Sequence, residues 1–335
     1  AGRDIRLGTS GGIVSRGDLD NANLPATGAD LDVLAGVGAR GFNADAAISL
    51  LQQRLAAGTP GTSDLWLARW LTGNDNLQAS DAGAAVATVA ALAPDERRDR
   101  VRNFLFTALR QTGRDANVAA SGFAGDFDRG YAALELVFPG IGATDDQGRF
   151  TAYSGAIDLF ASRIKTERGG NIDMLVPGGG IVVGLANTPQ ALVNVGNNVL
   201  GVVAAAEGDV RAASRDDMLV NQSRVLTVGG GDVLLWSSEG DIDAGRGAKT
   251  ASAVPPPVIK VDAQGNVTQE LLGAASGSGI GALSTGGVTA GDVDLIAPKG
   301  TVNAGDAGIR AGNLNIAAQL VIGADNISVS GTSAG

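Results

Sequence analysis

The sequence predicts a right-handed parallel β-helix, a solenoid in which short strands of successive coils stack into parallel sheets. Glycine makes up 51 of the 335 residues, about twice its usual share, so the chain turns often. A Gly-Asp-apolar phrase recurs, in GDVLLW from Gly231, GDIDAG from Gly240 and GDVDLI from Gly291. Apolar and polar residues alternate around these phrases, which is typical of strands that bury one face.

The apolar positions return about once per twenty residues near the C-terminus. Val293 to Leu314 and Leu295 to Ile316 are each 21 residues, and Val302 to Ile322 is 20. A period near twenty, built from short strands with glycine at the corners, indicates a solenoid. A β-sandwich would need longer strands and hairpin connections. The residues expected inside the coils are Ile172, Val210, Val233, Val293, Leu295, Leu314 and Ile316.

Two segments interrupt the coil pattern. Helical periodicity and caps predict four or five helices between 43 and 138, with bounds near 44–58, 62–73, 94–113 and 127–138, within an α-helical insertion. Further on, VPPP at 254–257 is unsuited to the inside of a sheet, and VIKVDAQGNVTQEL at 258–271 is typical of a hairpin. The expected organisation is β-helix coils over 1–40, the helical insertion over 41–140, β-helix over 141–246, an extruded loop with a hairpin over 247–289, and β-helix over 290–335.

Composition excludes several classes of function. A net charge of −10 without a basic cluster argues against nucleic acid as a partner. The chain has neither histidine nor cysteine, which removes the commonest general base and the thiolate metal sites. No apolar run is long enough to span a membrane. We therefore predict no catalytic residues, no cofactor and no metal site.

Paired aspartates are the densest carboxylate groups. Asp241 with Asp243, and Asp292 with Asp294, have the spacing of calcium ligands or of the acidic cluster of a polysaccharide lyase or hydrolase. Their alternation with apolar residues instead favours an outward, solvated strand face, and this is the interpretation adopted.

Aromatic residues of the helical insertion are the candidates for contact with a partner. Trp66 and Trp70 are four residues apart on one predicted helix, and Phe104 lies on a later one. Such a pair can form a sugar-stacking or partner-binding surface, whereas aromatic residues at helical spacing more often fill a core. Trp236, on a strand, is expected to be either a buried side chain or a cap over the helical insert.

Several segments resemble a known family. LRQTGRDA at Leu109, DRGYAALELVFPG at Asp128, SRIKTERGGNIDMLVPGGG at Ser162 and GGDVLLWSSEGDIDAG at Gly230 are similar to the C-terminal region of large filamentous haemagglutinin-family exoproteins. The resemblance covers nearly the whole chain. It implies a fragment of a β-helical protein at the bacterial outer surface or outside the cell, exported through an outer-membrane transporter by two-partner secretion.

The expected function is non-enzymatic adhesion. A stiff rod would display the helical insert and loops to a host or bacterial cell surface, with a glycan or a protein as the partner. Two alternatives stay open: a carbohydrate-active β-helix enzyme that uses the aspartate clusters, and a structural module that associates end to end through its open sheet edges.

Overall fold

The structure is a computed structural model, and it falls into two compact units. It describes residues 1–19, 21, 23–38, 41–57, 61–187, 200–246, 252–253, 257–261, 267–271, 275–284 and 287–335. The β unit consists of Ala1, Arg3–Gly36 and Gly155–Gly335. The helical unit consists of Gly2 and Val37–Ser154.

The β unit is built mainly from parallel strands in three stacks. Stack 1 contains β1 (Ile5–Arg6), β4 (Ile157–Asp158), β7 (Ile181–Val182), β10 (Met218–Leu219), β13 (Ile242–Asp243) and the second halves of β19 (Val293–Asn303) and β21 (Leu314–Ile322). Stack 2 contains β2 (Ile13–Ser15), β5 (Arg163–Thr166), β8 (Gly201–Ala204), β11 (Arg224–Val228), β18 (Gly279–Leu283), β20 (Ile309–Ala311) and β22 (Ile327–Val329). Stack 3 contains β3 (Leu31–Leu34), β6 (Ile172–Val176), β9 (Val210–Ser214), β12 (Val233–Ser237), the first halves of β19 and β21, and β23 (Ser333–Ala334).

The chain visits the stacks in a fixed order. It passes from stack 1 to stack 2 to stack 3 and then returns to stack 1 beside its earlier strand, as β7, β8 and β9 follow β4, β5 and β6. We call one such passage a coil and number the coils from the N-terminus. Parallel pairing of this kind is consistent with the predicted solenoid.

The predicted inward residues form the core of the β unit. In stack 3, the register aligns Ile172, Val210, Val233, Val293 and Leu314 in one column. These residues and the adjacent column of Leu295 and Ile316 are at most 5% exposed and belong to one cluster. The prediction of this core is confirmed.

Glycines precede the strands of stack 3 because the coils approach too closely for a side chain. A Cβ added at Gly231 would lie under 3.0 Å from the carbonyl oxygen of Gly208, and one at Gly291 would meet that of Gly231 in the same way. Real Cβ atoms essentially never come so close. The Gly of each Gly-Asp-apolar phrase is therefore required by the contact between successive coils.

One predicted repeat is wrong by a residue. Val302 pairs with Val321, and Ile322 instead pairs with Asn303 and is 47% exposed. The cause is an irregularity in the pairing between Ala297 and Thr301, where Pro298–Gly300 faces only Gln319. A corner whose length differs between coils shifts the register without changing the apolar spacing of the strands that flank it.

The outward face of stack 3 is not solvated as predicted. Asp294 is 0% exposed, and its neighbours Leu234 and Ile296 are equally buried. Asp173 is 1% exposed and accepts two hydrogen bonds from Arg211, at 2.7 Å from Nε and 2.6 Å from Nη2. Trp236 is fully buried on this face, as expected, and its Nε1 donates to Ser238 Oγ at 3.0 Å.

A hairpin leaves the coils between β13 and β18. Its arms are the antiparallel strands β15 (Pro257–Val261) and β16 (Val267–Leu271). A second antiparallel pair, β14 (Ser252–Ala253) with β17 (Ala275–Ser276), lies before and after it. Pro257 is the first residue of its strand, where proline is tolerated. Residues 262–266, between the two arms of the predicted hairpin, lie outside the described residues.

The helical unit contains five α-helices in its described residues. They are α1 (Ala44–Ala56), α2 (Thr62–Thr72), α3 (Ala79–Ala90), α4 (Pro94–Ala116) and α5 (Asp128–Val137). Gly73 ends α2 in a left-handed conformation, as predicted, whereas Gly113 does not end α4, which continues for three residues. Gly113 is buried in that helix, and packing outweighs the low helix propensity of glycine. Gly58, the last residue of the first predicted helix, lies outside the described residues.

Candidate functional site

The three predicted contact residues differ in their access to solvent. Trp70 is 7% exposed and Phe104 is 2% exposed, so both belong to the core of the helical unit. Trp66 is half-buried and keeps part of its ring at the surface. Contact with a partner stays a prediction for all three, and burial leaves Trp66 as the one with an appreciable solvent-accessible surface.

Trp66 lies in a group of aromatic rings. Its ring is 5.7 Å from that of Trp70 and tilted by 39°, and 5.8 Å from that of Phe123 at 88°. Phe123 lies in the loop between α4 and α5, where Gly122 and Gly125 adopt positive φ and Ser121 Oγ accepts the Phe123 N–H at 2.9 Å. The loop conformation therefore depends on residues that tolerate left-handed backbone.

Arg129 lies beneath these rings. Its guanidinium carbon is 3.5 Å from the centre of the Phe123 ring and 5.3 Å from the rings of both Trp66 and Trp70. Its side chain is 2% exposed, and Nη2 donates to Asp115 Oδ2 at 2.9 Å. Nε and Nη1 have no hydrogen-bond partner within the described residues. Cation–π attraction compensates part of the cost of burying this charge.

Arg69 supplies a second cation next to Trp66. Its guanidinium carbon is 4.9 Å from the Trp66 ring, and Nε donates to the carbonyl of Leu77 at 3.0 Å. Across the described part of the chain no carboxylate pairs with Arg69. Asp115 is shared, because Oδ1 also accepts from Gln111 Nε2 at 2.8 Å. Two guanidinium groups thus accompany one carboxylate. We call Trp66, Trp70, Phe123, Arg69 and Arg129 the aromatic–arginine cluster.

The sequence indicated only the two tryptophans of this cluster, Trp66 and Trp70. The position of Arg69, three residues after Trp66, was a usable signal because residues at that spacing are neighbours on a helix. Arg129 and Phe123 come from a later helix and loop, and only the tertiary fold brings them to Trp66.

Several aspartates of the coils, including Asp241 of the first pair, hydrogen-bond backbone groups of the neighbouring coil. Asp241 Oδ1 accepts the N–H of Thr301 at 2.7 Å, and the N–H of Asp241 itself donates to Asp217 Oδ1 at 2.9 Å. In stack 3, Asp232 Oδ1 accepts the N–H of Asp292 at 2.8 Å. Each of these aspartate side chains therefore links one coil to the next by a hydrogen bond, and we call such a link an aspartate rung. Hydrogen bonds of this kind, donated by backbone N–H groups to a carboxylate, stabilise the stacking of coils.

Other charged groups in the coils also serve the fold. Arg224 is 1% exposed, and burial lowers its pKa to about 10, so it still carries its charge at neutral pH. Its Nε donates to the carbonyl of Leu200 at 2.8 Å, and a Cβ at Gly201 would collide with its stem. The glycine makes room for the arginine of the next coil.

The described residues contain no group of three acidic, histidine or cysteine side chains that could hold a metal ion. In the same part of the chain, no helix is both long and apolar enough to cross a membrane.

Comparison with models of known protein families gives a match for the last part of the chain. Residues 230–335 match the model of a family described as filamentous haemagglutinin family outer membrane protein. This confirms the resemblance noted in the sequence for the last third of the chain, which holds β12, β13 and the later strands of the coils. No curated protein and no solved structure matches the chain.

Proposed function

We propose that this chain is a non-enzymatic part of a secreted or surface-exposed filamentous haemagglutinin-like adhesin, exported by two-partner secretion. In this proposal the coils form a right-handed parallel β-helix, and the helical unit and the excursions from the coils make contact with a cell surface. The match of residues 230–335 to the haemagglutinin family is the observation that carries the proposal.

The packing of the coils supports a mechanical role. Inward columns of valine, isoleucine and leucine are almost fully buried, and backbone ladders with aspartate rungs join successive coils. A stack of this kind resists bending because each coil is hydrogen-bonded to both neighbours. The helical unit is a separate compact unit inserted between β3 and β4, so its surface sequence can vary without disturbing the coils.

The enzyme alternative is less well supported. Catalysis by carboxylates needs side chains that converge on a substrate. Asp232 and Asp241 accept backbone N–H groups of the next coil, and Asp294 is completely buried. Asp243 and Asp292 accept hydrogen bonds from side-chain amides of the next coil, so stacking contacts account for these aspartates without chemistry.

Close stacking of a second copy against coil 1 is disfavoured at one position of stack 3. In coils 2 to 6, the residue two positions before each stack 3 strand is a glycine whose added Cβ would lie under 3.0 Å from the preceding coil. The equivalent residue in coil 1 is Ala29, since Leu31 pairs with Ile172. The methyl group of Ala29 therefore obstructs the close stacking of a second copy's coil at this position.

The proposal predicts that contact depends on the helical unit. Deleting residues 42–140 is expected to abolish attachment of the immobilised chain to cells while the β-sheet circular dichroism signal persists. Trp66→Ala is expected to reduce attachment severalfold, and Val118→Ala, at a residue 49% exposed in the same unit, serves as the matched control. If the deletion leaves attachment unchanged, the helical unit does not make the contact with the cell surface.

A further inference from the structure

We propose that the aromatic–arginine cluster binds a carboxylated sugar residue of an acidic polysaccharide. The carboxylate would interact with the guanidinium groups of Arg69 and Arg129, and the sugar ring would contact the exposed part of Trp66. This inference rests on the proposed function, because it names the ligand class of the contact surface on the helical unit.

The positive charge of the cluster favours an anionic ligand. The cluster holds two guanidinium groups against the single carboxylate of Asp115, in a chain whose net charge is −10. Arg129 is buried with Nε and Nη1 unbonded, and Arg69 has a backbone carbonyl but no carboxylate as its partner within the described residues. A guanidinium group in a poorly solvated place attracts an anion strongly, and its planar donors match the geometry of a carboxylate.

The partly exposed indole ring of Trp66 favours a ligand that has a flat apolar face. An indole ring that is partly open to solvent offers an apolar surface beside the two cations. Sugar rings present C–H groups that pack against such a surface, whereas an extended acidic peptide offers its charges on flexible side chains. A sugar acid joins both features in one rigid ring, so it loses less conformational freedom on binding.

Access to Arg129 requires movement of Phe123. The Phe123 ring covers the guanidinium group at 3.5 Å, and it lies in a loop between two glycines with positive φ. Arg69 is half-buried rather than enclosed, so it makes the first contact with the carboxylate. Displacement of Phe123 from Arg129 then brings the second cation to the ligand and changes the surroundings of Trp66.

The test is a titration of the full chain with oligogalacturonate, a chain of uronic acids, monitored by tryptophan fluorescence and by calorimetry. The chain has three tryptophans, and Trp236 is fully buried in the β unit, so a change in emission reports on Trp66 and Trp70. We expect saturable binding that weakens as salt is raised. The same oligosaccharide with its carboxyl groups reduced to alcohols is expected to bind at least about tenfold more weakly.

Variants separate a binding role from a structural one. Arg69→Gln and Trp66→Ala are each expected to weaken binding at least about tenfold, whereas Arg98→Gln removes the same charge from a residue 57% exposed on α4 and should leave binding unchanged. Arg129→Gln is a supporting variant, to be used if its circular dichroism spectrum stays that of the parent chain.

Three results would overturn the inference: no binding of oligogalacturonate, equal binding of the reduced oligosaccharide or of polyglutamate, or full binding by Arg69→Gln. The ligand class and the proposed function can fail separately. If deletion of the helical unit abolishes attachment to cells but the chain does not require the carboxyl groups of the sugar, only the ligand class is refuted. If attachment does not depend on the helical unit and the chain does not bind oligogalacturonate, both the proposed function and the ligand class are refuted.

Discussion

Replacing Val293 with aspartate is expected to destabilise the β unit by at least about 4 kcal/mol, enough to unfold it at moderate temperature. Val293 is 0% exposed and lies in the inward column between Val233 and Leu314. A carboxylate there would be enclosed by apolar side chains with no partner. Thermal and urea unfolding followed by circular dichroism measure the change.

The matched control is Leu320→Asp. Leu320 also lies on a paired strand of the coils, opposite Thr301, but is 53% exposed. Its substitution by aspartate is expected to change the free energy of unfolding by less than about 1 kcal/mol. Equal stabilities of the two variants would contradict the assignment of the inward face.

Adding a methyl group at Gly231 is expected to disrupt the stacking of coils. The new Cβ of Gly231→Ala would lie under 3.0 Å from both the carbonyl oxygen and the carbonyl carbon of Gly208, which are backbone atoms and cannot move aside cheaply. We expect a loss of about 3 kcal/mol or more, larger than that of most single substitutions. Denaturant unfolding of the purified chain measures it.

Gly11→Ala is the control for this prediction. Gly11 lies in the same unit, its φ is outside the left-handed region, and an added Cβ would have nothing within 4 Å. The variant is expected to be neutral or slightly stabilising, because alanine restricts the unfolded chain more than glycine does. A Gly231→Ala variant as stable as this control would show that the coils do not approach as closely as described.

The Gly-Asp-apolar phrase predicted the coils well and the role of its aspartate poorly. Alternation placed Val233 and Val293 inside, where they lie. It could not reveal that Asp232 reaches the N–H of Asp292, because that partner is 60 residues away along the chain. The buried Asp294 was missed for a similar reason, since alternation assigns a face to a residue but does not say whether that face is covered.

Local signals located most helix ends, and tertiary packing decided the others. Gly73 stops α2 as predicted, but α4 runs through Gly113. The alanine-rich helix α3 was not predicted individually, because Ala82, Val86 and Val89 form only a narrow apolar stripe. The aromatic–arginine cluster combines residues from α2, α5 and a loop, so the sequence indicated Trp66 and Trp70 without their cationic neighbours.

The central claim is that the chain acts by contact and not by turnover. The most direct measurement incubates the purified chain with acidic and neutral polysaccharides, with and without calcium, and follows unsaturated products and reducing ends. The account predicts no product above the rate without protein. Product formation that is lost on Asp241→Ala, in a variant that keeps its fold, would contradict it.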